Sequence, residues 1–185
     1  MPALARPLMT ADEFLAWERE QPERHEFVGG EILGLAGASL AHGRIVFNLA
    51  KILDRACDEG GCAVFLDGAK LRVEGNLFYP DVMVSCEGYD IDGDLLGAPV
   101  LIAEVLSGST ELHDRGVKWA YYQRLGALET YMLVAQDRVF VEVFRRDGGV
   151  WTYASFTGLE STIELGHPAC RVRVGELYSG ISGRR

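Results

Sequence analysis

The spacing of hydrophobic and polar positions along the chain predicts three helices separated by strands. A capping box at Thr10-Ala-Asp-Glu13 precedes an apolar run and predicts a first helix over 10–20. Apolar residues recur at helical spacing from 39 to about 59, which predicts a longer amphipathic helix. A third helix is predicted over 114–125, where apolar residues stand four apart and Gly126 follows as a stop.

Short apolar or alternating runs between these helices predict strands. The Gly29-Gly30 pair between two such runs is typical of a hairpin turn. The strands are predicted at 25–28, 31–35, 62–66, 70–73, 78–85, 99–106, 129–134, 138–145 and 150–156, with shorter pieces in the tail after 158. The polar segment 87–97 is predicted as a surface loop. Because the third helix connects strand 99–106 to strand 129–134, these two are expected to be parallel or to share one mixed sheet.

Two of the predicted strands each carry a carboxylate. Asp81 follows Pro80 at the mouth of the strand that continues through Val82, and Glu104 interrupts a run apolar enough to be buried on both faces. A buried carboxylate is costly unless it is paired, hydrogen-bonded or bound to a metal. For Glu104, a metal ion and a buried lysine or arginine are both open as partners. A Pro-Asp pair alone favours an ordinary turn, and Lys118 four residues after Asp114 has the spacing of a helix-surface ion pair.

Composition narrows the class of protein. The 185 residues, 48% of them hydrophobic, predict a single domain over 1–185 with a flexible stretch at 1–9. Eighteen Lys and Arg against 27 Asp and Glu give a net charge of −9, which disfavours non-specific binding to nucleic acid or anionic membrane but leaves a local basic groove open. Without a signal-like apolar region or a run of ~20 apolar residues, we expect a cytoplasmic protein that does not enter a membrane.

Several kinds of site are disfavoured by the sequence. The four cysteines form no CxxC pair, so a structural zinc site is not expected. We expect the cysteines to be reduced thiols. The acidic loop lacks the EF-hand order of ligands, and no GxGxxG or P-loop follows a strand. The histidines are scattered and define no Ser/His/Asp or Cys/His arrangement; they are His25, His42, His113 and His167.

One set of residues resembles a known family. Pro80-Asp81, Glu104 with Val105 and Leu106, the polar turn 107–110, Asp114 and Lys118 together resemble the Uma family of restriction-endonuclease-like proteins, a branch of the PD-(D/E)XK nuclease superfamily. The resemblance also includes the segments 10–14, 25–31 and 129–134 and His42, so that it covers roughly 10–153. It implies an α/β (α+β) restriction-endonuclease-like fold, with a central mixed β-sheet flanked by helices.

The resemblance also implies site residues. Asp81 and Glu104 would be the metal-binding carboxylates, and Glu26 a further acidic residue of the catalytic set. The sequence departs from the superfamily pattern at Leu106, two positions after Glu104, where a lysine is expected. The resemblance gives the lysine's role to Lys118 on the following helix, and adds His42 as a further candidate.

This set of residues suits phosphodiester hydrolysis. Mg²⁺ or Mn²⁺ selects carboxylate and water oxygens, polarises the phosphate and activates the attacking water, and a nearby lysine stabilises developing charge. We therefore expect a metal-dependent endonuclease that cuts DNA, as a homodimer with two sites. A non-catalytic interaction module with the same fold, and a metal hydrolase of another phosphoester, are the alternatives. Candidates for a DNA-binding rim are Arg44, Lys51, Arg55, Arg115, Arg124, Arg145 and Arg146.

Overall fold

The helices lie close to their predicted positions. The structure is a computed structural model that describes residues 9–35, 37–57, 61–66, 68–108 and 110–181, so that the predicted flexible stretch lies, apart from Met9, outside it. Helix α1 begins after Thr10, whose hydroxyl accepts from the Glu13 amide while the Glu13 carboxylate accepts from the Thr10 amide, which confirms the capping box. The helices are α1 (Ala11–Glu18), α2 (Leu40–Cys57), α3 (Trp119–Tyr122), preceded by a π-helical segment (His113–Lys118), and α4 (Val174–Leu177). No described helix is long and apolar enough to cross a membrane.

The strands form two larger sheets and a separate hairpin. They are β1 (His25–Val28), β2 (Glu31–Gly34), β3 (Ala63–Leu66), β4 (Lys70–Val73), β5 (Asn76–Phe78), β6 (Val82–Ser85), β7 (Leu95–Leu96), β8 (Leu101–Leu106), β9 (Thr130–Ala135), β10 (Val141–Asp147), β11 (Val150–Phe156), β12 (Thr162–Leu165) and β13 (Cys170–Arg173). The first sheet has the order β2-β1-β5-β4-β7 and the second β11-β10-β9-β8-β6-β3, with β12 paired to β13. Strands β8 and β9 are parallel neighbours, as the helical connection between them predicts.

The chain passes from the first sheet to the second at Tyr79-Pro80-Asp81. The prediction of one strand over 78–85 is therefore wrong, because β5 pairs within the first sheet and β6 within the second. Pro80 has no amide hydrogen to give to a ladder, so the strand pairing stops there. Strands β3 and β4 also lie in different sheets, although consecutive strands usually pair. The short β7 lies inside the predicted loop 87–97 and pairs with β4.

Two apolar clusters cover the two faces of the second sheet. Ile45, Leu49 and Leu53 of α2 pack against one face. On the other face, Tyr122 packs edge-on against Phe78 and Tyr131. The helix predicted over 114–125 ends earlier, at Tyr122, and its first half is a π-helix. The second sheet is therefore buried on both sides in its centre, and the strand that carries Glu104 is completely buried.

Two of the cysteines form a disulfide, so the expectation of four reduced thiols is wrong. Cys62 is bonded to Cys86. The pair stands one position beyond the antiparallel partners Ala63 and Ser85 of β3 and β6, and this register brings the two sulfur atoms together. A sequence without the register gives no sign of it.

Reduction of this disulfide is expected to lower the free energy of unfolding by about 3 kcal/mol, because the bond closes a loop of 24 residues in the unfolded chain. Urea unfolding with and without reductant measures the change, and the double variant Cys62→Ser with Cys86→Ser should not respond to reductant. Finding all the cysteines reactive in unfolded, unreduced protein would contradict the disulfide.

Candidate functional site

The residues predicted from the sequence converge where the two sheets meet. Glu26 comes from β1 of the first sheet, Asp81 from the crossing segment, Glu104 from β8 and Lys118 from the end of the π-helical segment. Glu26, Glu104 and Lys118 are each at least nine-tenths buried, whereas Asp81 is partly exposed. The site is thus a buried charged cluster with one accessible carboxylate.

The ammonium group of Lys118 lies at the centre of this cluster. Its Nζ is 3.1 Å from Glu26 Oε1, 3.1 Å from Glu104 Oε1 and 3.2 Å from Asp114 Oδ1. The alternative partner for Glu104, a buried lysine, is therefore present. The predicted pair of Asp114 and Lys118 is also formed, but in the protein interior rather than on a helix surface.

The π-helical turn explains how one short segment reaches this cluster with several side chains. Each π-turn contains one residue more than an α-turn, so residues five apart come onto the same side. His113 and Lys118 stand five apart, and both contact Glu26: His113 Nε2 lies 2.9 Å from Oε2 and Lys118 Nζ 3.1 Å from Oε1. The prediction of an ordinary α-helix gave no reason to connect His113 with Glu26.

The register of β6 and β8 brings Asp81 and Glu104 together. Val82 pairs with Ala103 in this antiparallel ladder, so the preceding Asp81 stands opposite Glu104. The Asp81 amide donates to Glu104 Oε2 at 3.3 Å, and the Val105 amide donates to Asp81 Oδ2 at 2.7 Å. The backbone of each strand therefore holds the carboxylate of the other.

Two tyrosines that were not predicted as site residues fix the glutamates. The Tyr79 amide donates to Glu26 Oε1 at 3.0 Å, and the Tyr79 hydroxyl donates to the buried Glu18 at 3.1 Å. The Tyr122 hydroxyl donates to Glu104 Oε1 at 3.1 Å. The only sequence signal for Tyr79 is its place before Pro80-Asp81, and for Tyr122 its place one helical turn after Lys118.

His42, the further candidate from the resemblance, contacts Asp81. It lies in the first turn of α2, where its amide donates to the Ser39 hydroxyl, and its Nε2 is 3.1 Å from Asp81 Oδ2. Burial lowers the pKa of the imidazole, but the hydrogen bond and the negative charge of Asp81 outweigh burial and raise that pKa above its ordinary value. Within the described residues, both hydrogen bonds to the Asp81 carboxylate are made to its Oδ2 atom.

Negative charge is in excess in this cluster. Four carboxylates, those of Glu26, Asp81, Glu104 and Asp114, surround the single ammonium of Lys118. Burial raises the pKa of Glu104 well above its usual range although Lys118 opposes the effect, and burial likewise raises the pKa of Asp114. Burial would raise the pKa of Glu26 as well, but contacts with His113 and Lys118 lower it. Additional positive charge would therefore stabilise the cluster.

The donor set fits a magnesium-like ion better than a transition metal. Within the described residues, no group of three or more His, Cys, Asp or Glu side chains is arranged to enclose a metal ion. Glu104 Oε1 accepts from Lys118 and Tyr122, and Glu104 Oε2 accepts from the Asp81 amide at 3.3 Å. A cation would therefore share Glu104 Oε2 with that amide, whereas Asp81 Oδ1 accepts no hydrogen bond within the described residues. Mg²⁺ characteristically uses one or two carboxylates and completes its shell with waters and substrate phosphate, so two available carboxylates are sufficient.

Leu106 and the basic residues predicted for a DNA-binding rim differ in their exposure and in their partners. Leu106, at the position where the superfamily pattern has its lysine, is 4% exposed and belongs to the apolar core. Arg115 binds Glu111 and Glu142, Arg124 binds Glu74, and Arg146 donates to backbone carbonyls at the end of α3. These arginines are engaged within the protein, whereas Arg44, Lys51 and Arg55 are exposed on α2.

Comparison with known proteins agrees with this geometry. The sequence profile of the Uma2 family, described as "Putative restriction endonuclease", matches residues 11–174. The chain belongs to the Uma2 family. This confirms the family predicted from the motifs around Asp81, Glu104 and Lys118, all of which lie inside the matched range.

Relatives of this Uma2 chain include two cyanobacterial proteins. "Uncharacterized protein slr1290" of Synechocystis sp. is 30% identical over 185 residues, covering 98% of this chain and 97% of the relative. "Uncharacterized protein sll1609" of the same organism is 34% identical over 164 residues, covering 85% and 93%. A crystal structure described as "a putative nuclease belonging to DUF820 from Anabaena variabilis ATCC 29413" has a TM-score of 0.75 at 19% identity, covering 92% of this chain and 97% of that one. The predicted mixed-sheet, nuclease-like fold is thereby confirmed.

Proposed function

We propose that this Uma2 chain is a metal-dependent endonuclease that hydrolyses phosphodiester bonds in DNA. The observation that carries the proposal is the charge imbalance of the site, where the carboxylates of Glu26, Asp81, Glu104 and Asp114 lie around the one ammonium group of Lys118. Such an excess of buried negative charge costs folding free energy and is retained where it serves binding or chemistry. The description of the family as a restriction endonuclease supports the same reaction class.

In this proposal Asp81 and Glu104 hold Mg²⁺ or Mn²⁺. The bound ion supplies polarisation of the phosphate and a lowered pKa for the attacking water. The protein's own contribution is to fix the two carboxylates before substrate arrives. The Asp81 amide donates to Glu104 Oε2 and the Tyr122 hydroxyl to Glu104 Oε1. The Val105 amide and His42 hold Asp81.

In this proposal Lys118 performs the role of the catalytic lysine that the superfamily pattern has at the position of Leu106. The carboxylates of Glu26, Glu104 and Asp114 hold the ammonium group of Lys118. Its position beside Glu104 suits it to stabilise negative charge on the phosphate. Glu26, which His113 and the Tyr79 amide orient, acts mainly by positioning Lys118. Lys118 thus contacts Glu104 from the helix, in place of a lysine on the strand itself.

DNA binding in this proposal uses the exposed face of α2. Arg44, Lys51 and Arg55 stand seven and four residues apart, which places them on one side of the helix that begins with the His42 turn. Cations on one helix face attract phosphates locally even though the whole chain carries a charge of −9. The proposal further includes a cytoplasmic location and a homodimer that presents two sites to a duplex.

Cleavage of supercoiled plasmid at low salt with Mg²⁺ or Mn²⁺ tests the proposal. We expect the wild-type protein to cut and the variants Asp81→Ala and Glu104→Ala to lose at least about 100-fold in rate, as removal of a principal charge-stabilising group does. Lys118→Ala should also be strongly impaired. The matched control is Asp92→Ala, which removes an exposed carboxylate of the loop between β6 and β7. Equal cutting by all variants, or none by the wild type, would overturn it.

A non-catalytic interaction module is the second candidate, favoured by the arginines already engaged within the protein. It predicts no cutting and no effect of divalent metal on the melting temperature. A metal-dependent rise in melting temperature that Asp81→Ala abolishes would contradict the module. Inhibition of plasmid cutting by small phosphoesters that the protein itself hydrolyses would instead indicate the third candidate, a hydrolase of another phosphoester.

A further inference from the structure

One edge of the second sheet carries no charge. Strand β11 has the sequence Val-Trp-Thr-Tyr-Ala-Ser-Phe from Val150 to Phe156, without a charged residue, a proline or a glycine. It is the last strand of its sheet and, within the described residues, pairs only with β10. Val150 is 66% and Tyr153 54% exposed. A long uncharged edge strand is a template for pairing with another strand, which proteins usually prevent with charges, proline or a cover.

The other edges of the two larger sheets are protected in those ways. Strand β3 is four residues long and packs against α2. Strand β2 is also four residues long, with Glu31 at its start and Gly34 at its end, and β7 has only two residues. Thus β11 is the long open edge of the described structure.

The turn before β11 determines which backbone groups point outward. Gly148 and Gly149, with φ of +55° and +87°, form a two-residue hairpin turn of type I′ between Asp147 and Val150. In such a hairpin the pair that flanks the turn is hydrogen-bonded, and every second pair after it. Residues 150, 152, 154 and 156 therefore bond to β10, and the amides and carbonyls of Trp151, Tyr153 and Ser155 face away from the sheet.

We propose that this edge is the interface with a second copy of the chain. Two β11 strands would pair antiparallel about a two-fold axis at Tyr153 and join the two six-stranded sheets into one. Around this centre Trp151 faces Ser155 of the other copy and Thr152 faces Ala154, so each larger side chain meets a smaller one. Because Trp151, Tyr153 and Ser155 have outward-facing backbone groups, the Trp151–Ser155 pairs and the central Tyr153–Tyr153 pair each exchange two hydrogen bonds, whereas the Thr152–Ala154 pairs between them exchange none.

Charge favours a second copy at this strand over other surfaces. Each chain carries a net charge of −9, so two copies repel one another through most of their surface. At the β11 edge no charged side chain faces its own counterpart, since the strand has none. A two-fold contact at β11 can form from the outward-facing backbone groups and uncharged side chains of the strand itself.

The interface specifies the homodimer of the proposed function and is connected to the candidate site, but its existence does not depend on DNA cleavage. The Tyr153 hydroxyl donates to Glu142 Oε1 at 3.0 Å, and the other oxygen of Glu142 binds Arg115 of the π-helical segment that carries Lys118. Pairing through β11 therefore sets the position of one copy's site relative to the other's. The tests below measure association only, so they remain informative if the protein does not cut DNA.

Cysteine cross-linking tests the register. In a hydrogen-bonded antiparallel pair the two Cα atoms are about 5.5 Å apart, within the range that a disulfide spans. Tyr153→Cys faces itself across the axis and should form a covalent dimer on mild oxidation. Thr152→Cys is the matched control, since its counterpart is displaced by two residues and lies about 8 Å away, beyond disulfide reach. Cross-linking of both variants alike, or of neither, would overturn the proposed pairing.

Association in solution tests the interface itself. We expect the wild-type protein to sediment with the mass of two chains. Tyr153→Lys, which sets two ammonium groups against each other, and Ser155→Pro, which removes an outward amide, should sediment as single chains with unchanged circular dichroism. Ile32→Lys on the β2 edge is the control and should remain dimeric. A monomeric wild type, a dimer that survives both β11 variants, or dissociation by Ile32→Lys would each overturn the inference.

Discussion

Replacement of Lys118 by methionine is expected to lower the free energy of unfolding by about 3–5 kcal/mol, the usual cost of removing one partner from a buried ion pair. The lysine is 5% exposed and its ammonium lies within 3.2 Å of three carboxylates. Methionine keeps most of the volume but leaves Glu26, Glu104 and Asp114 without a cation. Urea unfolding at neutral pH in EDTA measures the change.

The effect should depend on pH in a defined direction. The contact with Lys118 helps to hold the pKa of Glu26 below its usual range. A lowered carboxylate pKa contributes stability that is present above the unfolded-state value of about 4.3 and is lost as the pH falls through the folded-state pKa. The part of the difference between wild type and Lys118→Met that comes from Glu26 should therefore be full at pH 7 and shrink below pH ~4.

Lys70→Met is the matched control for this prediction. Lys70 is also buried, at 6% exposure, but it has one carboxylate partner, Asp94, whose side chain is 46% exposed. Removal of Lys70 leaves a carboxylate that water can solvate, so the loss of stability should be clearly smaller. If the two variants lose the same amount, the buried carboxylates do not depend on Lys118 in the way the geometry indicates.

Glu104 could be singled out from the sequence because it interrupts a continuous apolar strand, where a charge is uncommon. Asp81 became a candidate through the family resemblance, since a Pro-Asp pair alone favours an ordinary turn. Lys118 and Glu26 required the family resemblance, since a lysine four residues after an aspartate is ordinary on a helix. The structure places all four together, but their catalytic and metal-binding roles stay predictions.

The residues that orient the site could not be predicted, because they depend on geometry that the pattern of apolar residues does not encode. His113 reaches Glu26 only through the π-helical turn, and a segment of 6 residues is too short for apolar spacing to distinguish a π-helix from an α-helix. Tyr79 reaches Glu26 only because the chain changes sheets at Pro80. The Cys62–Cys86 bond likewise depends on the register of β3 and β6.

The site therefore combines good local order with unfavourable electrostatics. Backbone amides and two tyrosines fix the carboxylates, yet one lysine does not balance the four negative groups. Proteins commonly accept such a loss of stability where a ligand or a reaction needs the charge. The cost of the excess negative charge can be measured as a change in the free energy of unfolding when one carboxylate is replaced by an amide of the same shape.

Glu104→Gln is expected to make the metal-free protein more stable, on the order of 1 kcal/mol or more at pH 8, because Lys118 keeps Glu26 and Asp114 as partners while a buried negative charge is removed. The same variant should abolish cleavage. Burial raises the pKa of Glu104 well above its usual range, so ionisation of this carboxyl group costs more free energy in the folded state than in the unfolded chain. Such a group lowers stability progressively as the pH rises above about 4.3, the unfolded-state value. Glutamine has the same shape and no charge, so the advantage of the variant should increase from pH 5 to pH 8.

Glu142→Gln is the control because it makes the same substitution at another buried glutamate, 6% exposed. Glu142 is bound by Arg115 and Tyr153 and lies outside the carboxylate cluster, so its loss should destabilise the protein. Melting in EDTA across this pH range, followed by addition of Mg²⁺, separates the two effects. The wild type should gain melting temperature from the metal and Glu104→Gln should not. A Glu104→Gln variant that is less stable than wild type throughout, or that still responds to Mg²⁺, would show that Glu104 is a structural ion-pair partner of Lys118 rather than a metal ligand.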